Sequence, residues 1–359
     1  MNKCTLLIDG NWLLMSRFFN LSNGFRSSNP DYEKESSQKE LEELLVRSIN
    51  VVLNRFYGTV DNIILITDGG SWRKQLPIPF SLDDETYKGN RSQTADLDWN
   101  YIYGALDNIY KRFEELGITC CRDNNIEGDD WCWYWSRRLN DDGVNCIIWS
   151  SDNDLKQLIQ VQNLSFTAWY NDRNGIFFHN SLEETPGDDI DFFMSQQKEN
   201  ALIKSLKKQA NNFSYINPED IVMDKIVCGD AGDNIKSLIR VRKGNRTYKV
   251  GEKEWLKCKQ KLNINSLTEF FDSSNNLITE LLSNPKYRGH QVDEEVVREM
   301  FDYNKKLVWL NEKVIPDTII YNMNEVTDYK EYDLSYIRNN FKVLLRQDNK
   351  MIEDLFSGI

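Results

Sequence analysis

Cys4–Ile8 reads CTLLI and runs at once into Asp9-Gly10, and Asn62–Thr67 reads NIILIT and runs into Asp68-Gly69. Gly117–Cys121 (GITCC) and Cys146–Ser150 (CIIWS) repeat the pattern, the last closed by Ser151-Asp152. Short apolar runs ended by turn residues are the pattern of strands buried on both faces of a parallel sheet. Between them, Leu41–Phe56, Tyr101–Leu116 and Asp129–Leu139 carry apolar residues at helical spacing. Strand and helix alternate, so the first half of the chain is expected to form an α/β fold on a mainly parallel sheet. Phe166–Tyr170 and Ile176–His179 flank Asn171-Asp172-Arg173-Asn174-Gly175, the turn of an expected hairpin.

Working outward, two stretches fit this series poorly. Ser22–Ser37 is polar and reads as a loop, and Ser71–Asp98 is inserted between a strand and a helix. From about Thr185 the signal changes: TPGDDIDFF leads into helical patterns without strong strand runs, and the chain from Pro218 onward reads as mainly helical. The expected division is a core over 1–184, with the insert at about 71–98, and a helical lobe over 185–359. A chain of 359 residues with 40% apolar and 28% charged residues suits such a two-lobed protein. No apolar run reaches the roughly 18 residues needed to span a bilayer, and the apolar part of MNKCTLLIDGNWLL is too short for a secretory signal. No membrane association is expected.

Composition also narrows the chemistry. The seven cysteines include no CxxC pair, and several sit in apolar strand-like runs. That usage fits a reducing cytoplasm and argues against zinc. The two histidines, His179 and His290, are far apart in sequence, which disfavours Ser-His-Asp, Cys-His and His-rich metal chemistry. Carboxylates must therefore carry any catalysis.

In a parallel α/β sheet, functional residues gather at the carboxyl ends of the strands. Three of the four strands end in Asp9, Asp68 and Asp152, and the third is followed by Glu127, Asp129 and Asp130 at a helix start. An Asp after a strand is usually a turn residue or a helix cap. Four such sites on one rim are a like-charge cluster that calls for a cation. All-oxygen ligation points to magnesium or manganese. Asp152 and Asp154 stand two apart, and Asp230 and Asp233 in GDAGDN stand three apart next to a helix start, a second acidic group for a second ion. Two metal ions are the usual device for phosphodiester cleavage.

The net charge of −12 argues against a nucleic-acid partner when taken as a whole. The distribution reverses that reading. Between Lys236 and Lys261 there are ten Lys or Arg and two Glu, which leaves −20 on the rest of the chain. Lys236, Arg240, Arg242, Lys243, Arg246, Lys249 and Lys253, with Gly244 and Gly251 in expected loops, suit a phosphate backbone. Arg73, Lys74, Lys88 and Arg91 punctuate the insert after Asp68. Two basic stripes flanking an acidic site are the layout of a nuclease.

Taken in order, LLIDGNWLL (6–14), ITDGGSWRK (66–74), YKGNR (87–91), NIEGDDW (125–131), SSDNDLKQL (150–158) and GDAGDNI (229–235) resemble the words of the flap-endonuclease superfamily of 5′-nucleases. The ordered set spans about residues 4–260. The insert and YNKKLVWLNEKVIPDTI (303–319) are most similar to the T-even-type bacteriophage ribonuclease H group. The resemblance implies a PIN-like core and an arch formed by the insert. It also implies a helix–three-turn–helix for duplex at about 218–262. By motif position, Asp9, Asp68, Asp129 and Asp152, with Glu127 close by, look like a first metal site. Asp154, Asp230 and Asp233 look like a second, partly through water. Arg73, Lys88 and Arg91 look like the groups that steer the scissile phosphate. Asp130 looks like a supporting or capping residue, and Tyr87 like a packing residue or a base-stacking one.

The implied activity is two-metal phosphodiester hydrolysis with Mg2+, for which Mn2+ substitutes. The implied substrates are DNA with 5′ flaps or nicks and RNA primers annealed to DNA. The implied setting is phage replication in the cytoplasm of an infected bacterium, with the protein a monomer. One departure weighs against the potassium ion of the family hairpin: IRVRKGNRTY precedes Lys249-Val250-Gly251, and Lys249 stands where a glycine is usual. A catalytically silent nucleic-acid-binding protein and a PIN-type ribonuclease are the alternatives. The intact acids disfavour the first, and the basic module and insert disfavour the second. At the C-terminus, Ile352, Leu355 and Phe356 have the spacing of a sliding-clamp tether, or of a last helix docked on the lobe.

Overall fold

A computed structural model of the chain describes residues 4–21, 23–79, 86–91, 95–162, 165–183, 197–243, 246–287 and 292–325. It falls into two compact units, residues 1–70 with 93–216 and 321–359, and residues 71–92 with 217–320.

The first unit is built on an eight-stranded sheet. Its strands are β1 (Cys4–Asp9), β2 (Asn62–Ile66), β3 (Thr119–Cys121), β4 (Asn145–Trp149), β5 (Gln160–Gln162), β6 (Ser165–Asn171), β7 (Gly175–His179) and β8 (Phe213–Ile216). The order is β3-β2-β1-β4-β6-β7-β8, with β5 paired to β6. Strands β3 to β6 along this path run parallel, β6 and β7 form the expected antiparallel hairpin, and β8 runs parallel to β7. The central strands are buried on both sides, as their unbroken apolar runs require. Helices α1 (Gly10–Phe18), α2 (Lys34–Arg55), α3 (Trp99–Glu115) and α5 (Gln197–Ala210) share one core with Leu6, Ile8, Leu65, Ile147 and Tyr170. Leu41, Leu45, Ile49 and Leu53 make that contact in α2 by repeating every four residues. Helix α4 (Gly128–Asp141) packs on strands β1, β2, β4 and β6 with Trp131, Cys132, Trp135 and Leu139 buried.

The second unit is mainly helical. Helices α6 (Pro218–Cys228), α7 (Glu252–Lys261), α8 (Leu267–Asp272), α9 (Ser274–Ser283) and α10 (Glu294–Val308) enclose a core around Met223, Trp255, Phe270, Leu277 and Phe301. Helix α11 (Asp317–Glu325) closes the described part of the chain. Two strands, β9 (Arg240–Lys243) and β10 (Arg246–Lys249), pair antiparallel between α6 and α7. Asn304, buried on α10, donates from Nδ2 to the Ile226 carbonyl at 2.9 Å and the Lys236 carbonyl at 2.8 Å. It thereby ties the end of α6 to the loop that follows. Among the described residues no helix is long and apolar enough to cross a membrane.

Three elements depart from the sequence reading. Helix α2 starts at Lys34, inside the stretch read as a loop, because its first turn is too polar to show a helical stripe. Strand β8 follows the point where strands were expected to stop, and its half-exposed edge position needs no apolar run. The β9–β10 ribbon falls in a stretch read as mainly helical. The missed signal was Gly244-Asn245, a two-residue pair of hairpin type, between Val- and Tyr-bearing stretches.

Replacing Asn304 by Leu would remove its donor from the buried Ile226 carbonyl and from the part-buried Lys236 carbonyl, at a cost of about 2–3 kcal/mol. Urea unfolding of Asn304→Leu is expected to show that loss. A change within about 0.5 kcal/mol, the range of neutral surface substitutions, would mean that the tie is not made.

Candidate active site

The sheet order decides where the acids go. Strands β3, β2, β1 and β4 are neighbours, so the segments that follow them emerge side by side, about 4.8 Å apart per strand. Asp9 ends β1 opposite Ile66 of β2, and Ile8 lies opposite Trp149 of β4. Asp68 follows β2 by two residues, Ser150 follows β4 directly, and Glu127 and Asp129 come from the loop and helix start after β3. Asp9, Asp68, Glu127, Asp129, Asp152 and Asp154 thus all belong to the carboxyl-end rim of one sheet.

Short bonds hold this rim in place. Asp9 caps α1, accepting from the Trp12 amide at 3.0 Å, while Ser150 Oγ donates to Asp9 Oδ2 at 2.6 Å. The same hydroxyl accepts from the Asp152 amide at 2.9 Å, so Ser150 links two acids from adjacent strands. Asp152 in turn accepts from the Asp154 amide at 2.9 Å at the start of a 3-10 turn, Asn153–Leu158. Asp68 accepts from the Gly128 amide at 2.6 Å and donates its own amide to Asn11 Oδ1 at 3.0 Å. Glu127 is the N-cap residue of α4 and is buried, Asp129 and Asp130 occupy its first turn, and Asp130 is fully buried there. Acids at this end of a helix are favoured by the helix dipole.

Gly69 and Gly70 set the spacing between two of these loops. A Cβ on Gly69 would lie 1.9 Å from the Asp123 carbonyl oxygen, and one on Gly70 1.7 Å from that of Asn124. Both amides point at the Ile126 carbonyl, at 3.4 and 3.5 Å. The segment after Asp68 therefore lies flat against the loop that delivers Glu127, and no side chain fits between them.

The electrostatics record the crowding. Asp9 keeps partial contact with solvent, yet burial pushes its carboxyl up to about 7, and Asp68 and Asp152 add to the rise. The bonds from Ser150 and the Trp12 amide pull the other way. Cys132, fully buried on α4, is driven well above the usual thiol range by burial first and then by Asp9, Asp129 and Asp68. Among the described residues no three acidic, cysteine or histidine side chains stand in a group that could hold a metal ion. An open array of carboxylates still fits a hard, oxygen-seeking ion such as magnesium, which keeps several waters and uses one or two carboxylates directly. The sheet end continues to β6, where Asp172 bonds Arg17 at 2.9 Å and the Trp149 indole at 3.1 Å. That carboxylate was not singled out from sequence, and its partners give it a structural role.

The acids of the second unit sit differently. Asp230 pairs with Lys225 at 2.5 Å and accepts from the Gly232 amide at 2.8 Å. Burial raises its carboxyl, but Lys225 and the backbone donors outweigh that and hold it below the usual range. Asp233 pairs with Arg91, and its backbone carbonyl accepts from the Lys88 amide at 2.9 Å. Asn90 Nδ2 donates to the Ala231 carbonyl, and Asn234 Nδ2 to the Thr86 carbonyl, at 2.9 and 2.8 Å. Residues 86–91 and 230–234 are thus stitched together within this unit. Lys88 has φ 56° and places its ammonium 4.9 Å from the Tyr87 ring centre. Tyr87 is buried in the second core, in a turn, which is the packing role.

The remaining basic residues are spread. Arg73 is buried on a short 3-10 turn, over the Trp72 ring at 4.5 Å, with Lys74 exposed beside it. Lys236 is half-buried and donates to Asn234 Oδ1 at 2.7 Å. Arg240, Arg246 and Lys249 are exposed on the ribbon, which also carries Arg242 and Lys243. Gly251 is the N-cap of α7 and Lys253 lies in its first turn. The tail residues Ile352, Leu355 and Phe356 lie outside the described residues. Sequence reasoning missed Ser150, Asn11 and the Gly69-Gly70 pair. The available signals were a Ser directly before the acidic turn and a double glycine directly after Asp68.

Known proteins match this layout. Residues 4–185 match the family model described as 5′-3′ exonuclease, N-terminal resolvase-like domain. A 5′-3′ exonuclease of Mycoplasmopsis pulmonis is 25% identical over 354 residues, covering 96% of this chain and 95% of the relative. One from Buchnera aphidicola is 28% identical over 157 residues, 44% of this chain and 49% of its own. A bacteriophage T5 flap endonuclease, solved as a pseudo-enzyme–product complex with DNA and metal ions, is similar in fold. Its TM-score is 0.50 at 16% identity, covering 90% of this chain and 98% of that one.

The raised Asp9 carboxyl has a signed consequence for stability. Its folded pKa lies above the unfolded value of 3.8, so the folded state binds the proton more tightly. Stability from this group is present below about pH 4 and is lost as pH rises through 7. Asp9→Asn, melted in chelator, is expected to exceed wild type by on the order of 1–3 kcal/mol at pH 8, with the gap closing toward pH 4. Equal stability of the two proteins at pH 8 would contradict the crowding.

Proposed function

The chain belongs to the 5′-3′ exonuclease family, with the N-terminal resolvase-like domain over residues 4–185, and from that membership we propose a divalent-metal-dependent, structure-specific 5′-nuclease that hydrolyses phosphodiesters near flaps and nicks in DNA. The observation that carries this reading is the rim itself. Asp68, Asp9 and Asp152 issue from three adjacent strands, with Glu127 and Asp129 beside them. A site without a cationic ligand has no use for so costly a cluster of like charges. Asp9, Asp68, Glu127, Asp129 and Asp152 would hold a first ion, with magnesium preferred and manganese able to replace it. Asp154, Asp230 and Asp233 would serve a second. Bound there, such ions supply an activated water and stabilise the leaving oxygen.

The chain's own groups do the positioning. Ser150 holds Asp9 and Asp152 at a fixed separation through one hydroxyl. The Gly128 amide and Asn11 orient Asp68 from both sides. Arg73, Lys88 and Arg91 are the proposed partners of the scissile phosphate. Arg91 is engaged by Asp233, so a phosphate must compete with that carboxylate for the guanidinium. Substrate binding and release of Asp233 for a cation would then be coupled. The resemblance at 303–319 supports RNA-primer removal in phage replication, inside an infected bacterium, as the setting.

Asp152→Asn is expected to lower metal-dependent cleavage of a labelled 5′-flap duplex by several orders of magnitude while binding in chelator persists, since a ligand charge is removed without change of shape. Substantial turnover by this variant at saturating magnesium would sink the assignment.

Arg91→Ala is expected to reduce the single-turnover rate by roughly 30- to 1,000-fold, the equivalent of about 2–4 kcal/mol for removing one donor to developing charge. A wild-type rate would leave Arg91 with only its structural partnership to Asp233.

A further inference from the structure

Residues 150–158, SSDNDLKQL, hold a single cation, Lys156, beside the acids Asp152 and Asp154. Asp152 is the N-cap of the six-residue 3-10 turn Asn153–Leu158. Such turns make poor hydrogen bonds, and runs longer than three or four residues are uncommon. A turn of this length is therefore held by what it packs on. Leu155 and Leu158 are buried, while Asp152 stays exposed and Asp154 half-buried. The Ile159 amide closes the turn on the Lys156 carbonyl at 3.2 Å, and Gln157 Nε2 donates to the Asp154 carbonyl at 3.0 Å.

The Lys156 side chain reaches the hairpin β6–β7. Its ammonium lies 4.4 Å from the Trp169 ring centre and 4.3 Å from that of Phe177. Trp169 and Phe177 stand opposite each other in the hairpin, and their rings meet edge to face at 5.1 Å. Their strand neighbours Ala168, Tyr170, Ile176 and Phe178 belong to the core shared with α2. Alternation along a strand therefore puts the Trp169–Phe177 pair on the opposite face of the sheet.

This seat is more than apolar cover. Burial holds the Lys156 amine below the usual lysine range, the direction of a cation partly withdrawn from water. A methionine would fill similar space without that cost. Apolar burial is non-directional, whereas a cation is drawn to the face of a ring and the attraction grows as water is excluded. The lysine thus fixes where the turn sits, and the turn carries Asp152 and Asp154.

We propose that Lys156 is a positioning residue for this acidic turn: seated on the Trp169–Phe177 pair, it sets Asp152 and Asp154 against the rim and so strengthens their hold on a divalent ion. This role rests on the reading of Asp152 and Asp154 as metal-binding residues, and it acts through the turn without contact to ion or substrate. The sign of the effect separates it from a plain charge effect. A cation near the acids repels an incoming ion, so removing it would tighten metal binding. Loss of positioning loosens it.

The test is Mn2+ binding to the full chain without DNA, followed by the electron paramagnetic resonance of the free ion. Lys156→Met keeps the apolar stem and drops the charge, and it is expected to weaken binding roughly 10-fold, the lower end for groups that orient metal ligands. Lys156→Arg should recover most of that loss, since a guanidinium also stacks on aromatic faces. Phe177→Leu should weaken binding in the same direction. Combined with Lys156→Met it should give less than the product of the two effects, because both remove one contact. In cleavage of a 5′-flap duplex, the Mg2+ concentration at half-maximal rate should rise in Lys156→Met while the rate at saturating Mg2+ holds. Melting in chelator checks each fold, and if Lys156→Met does not melt cooperatively, Phe177→Leu and Lys156→Arg carry the same test. Unchanged or tighter Mn2+ binding by Lys156→Met overturns the proposal, as does failure of Lys156→Arg to recover or full additivity with Phe177→Leu. A wild type that binds no Mn2+ defeats the metal-site reading and the proposal with it. A wild type that binds and cleaves, with Lys156→Met binding equally well, defeats the positioning role alone.

Discussion

Repulsion among carboxylates at the ends of adjacent strands is the constraint around which the first unit is arranged. A parallel sheet delivers its strand ends about 4.8 Å apart, and here the delivered residues are Asp68, Asp9 and Asp152. Burial first, and the neighbouring Asp68 and Asp152 after it, push the Asp9 carboxyl up to about 7. The surrounding bonds limit the cost. A serine hydroxyl, several backbone amides and an asparagine each face one carboxylate or the backbone beside it. The glycines after Asp68 let two acidic loops lie in contact without an intervening side chain.

The second unit meets the same kind of charge in the opposite way. Asp230 and Asp233 are matched to Lys225 and Arg91, and the 86–91 segment is bonded to the 230–234 loop along its length. Asp9, Asp68 and Asp152 at the rim thus accept hydrogen bonds from a hydroxyl and backbone amides, whereas Asp230 and Asp233 are each paired with a cation. This contrast explains why the net charge of −12 says little about partners. Residues 240–249 carry five cations and no acid, and with screening on a scale of about 8 Å that local charge is not averaged with distant acids.

Much of this was legible in the order of residues. Apolar runs closed by Asp set the parallel strands and placed the acids at their ends, because a strand buried on both faces must be apolar throughout and must stop where polarity begins. The ordered acidic words then marked the family, now shown by the match over residues 4–185. Edge strand β8 was not legible, because a strand half in water needs no apolar run to form, whereas the basic ribbon carried a signal in Gly244-Asn245 that apolar runs alone do not reveal.

Only the tertiary structure decided which groups meet. The pairing of Ser150 with Asp9 joins residues 141 positions apart, and that of Arg91 with Asp233 joins residues 142 positions apart. Nothing local encodes either contact. The sequence by itself determined the residue types, their spacing and the alternation that builds the sheet. Strand order, register and the close approach of loops decided the rest, since hydrogen bonds and charge interactions act over a few ångströms of space and take no account of separation along the chain.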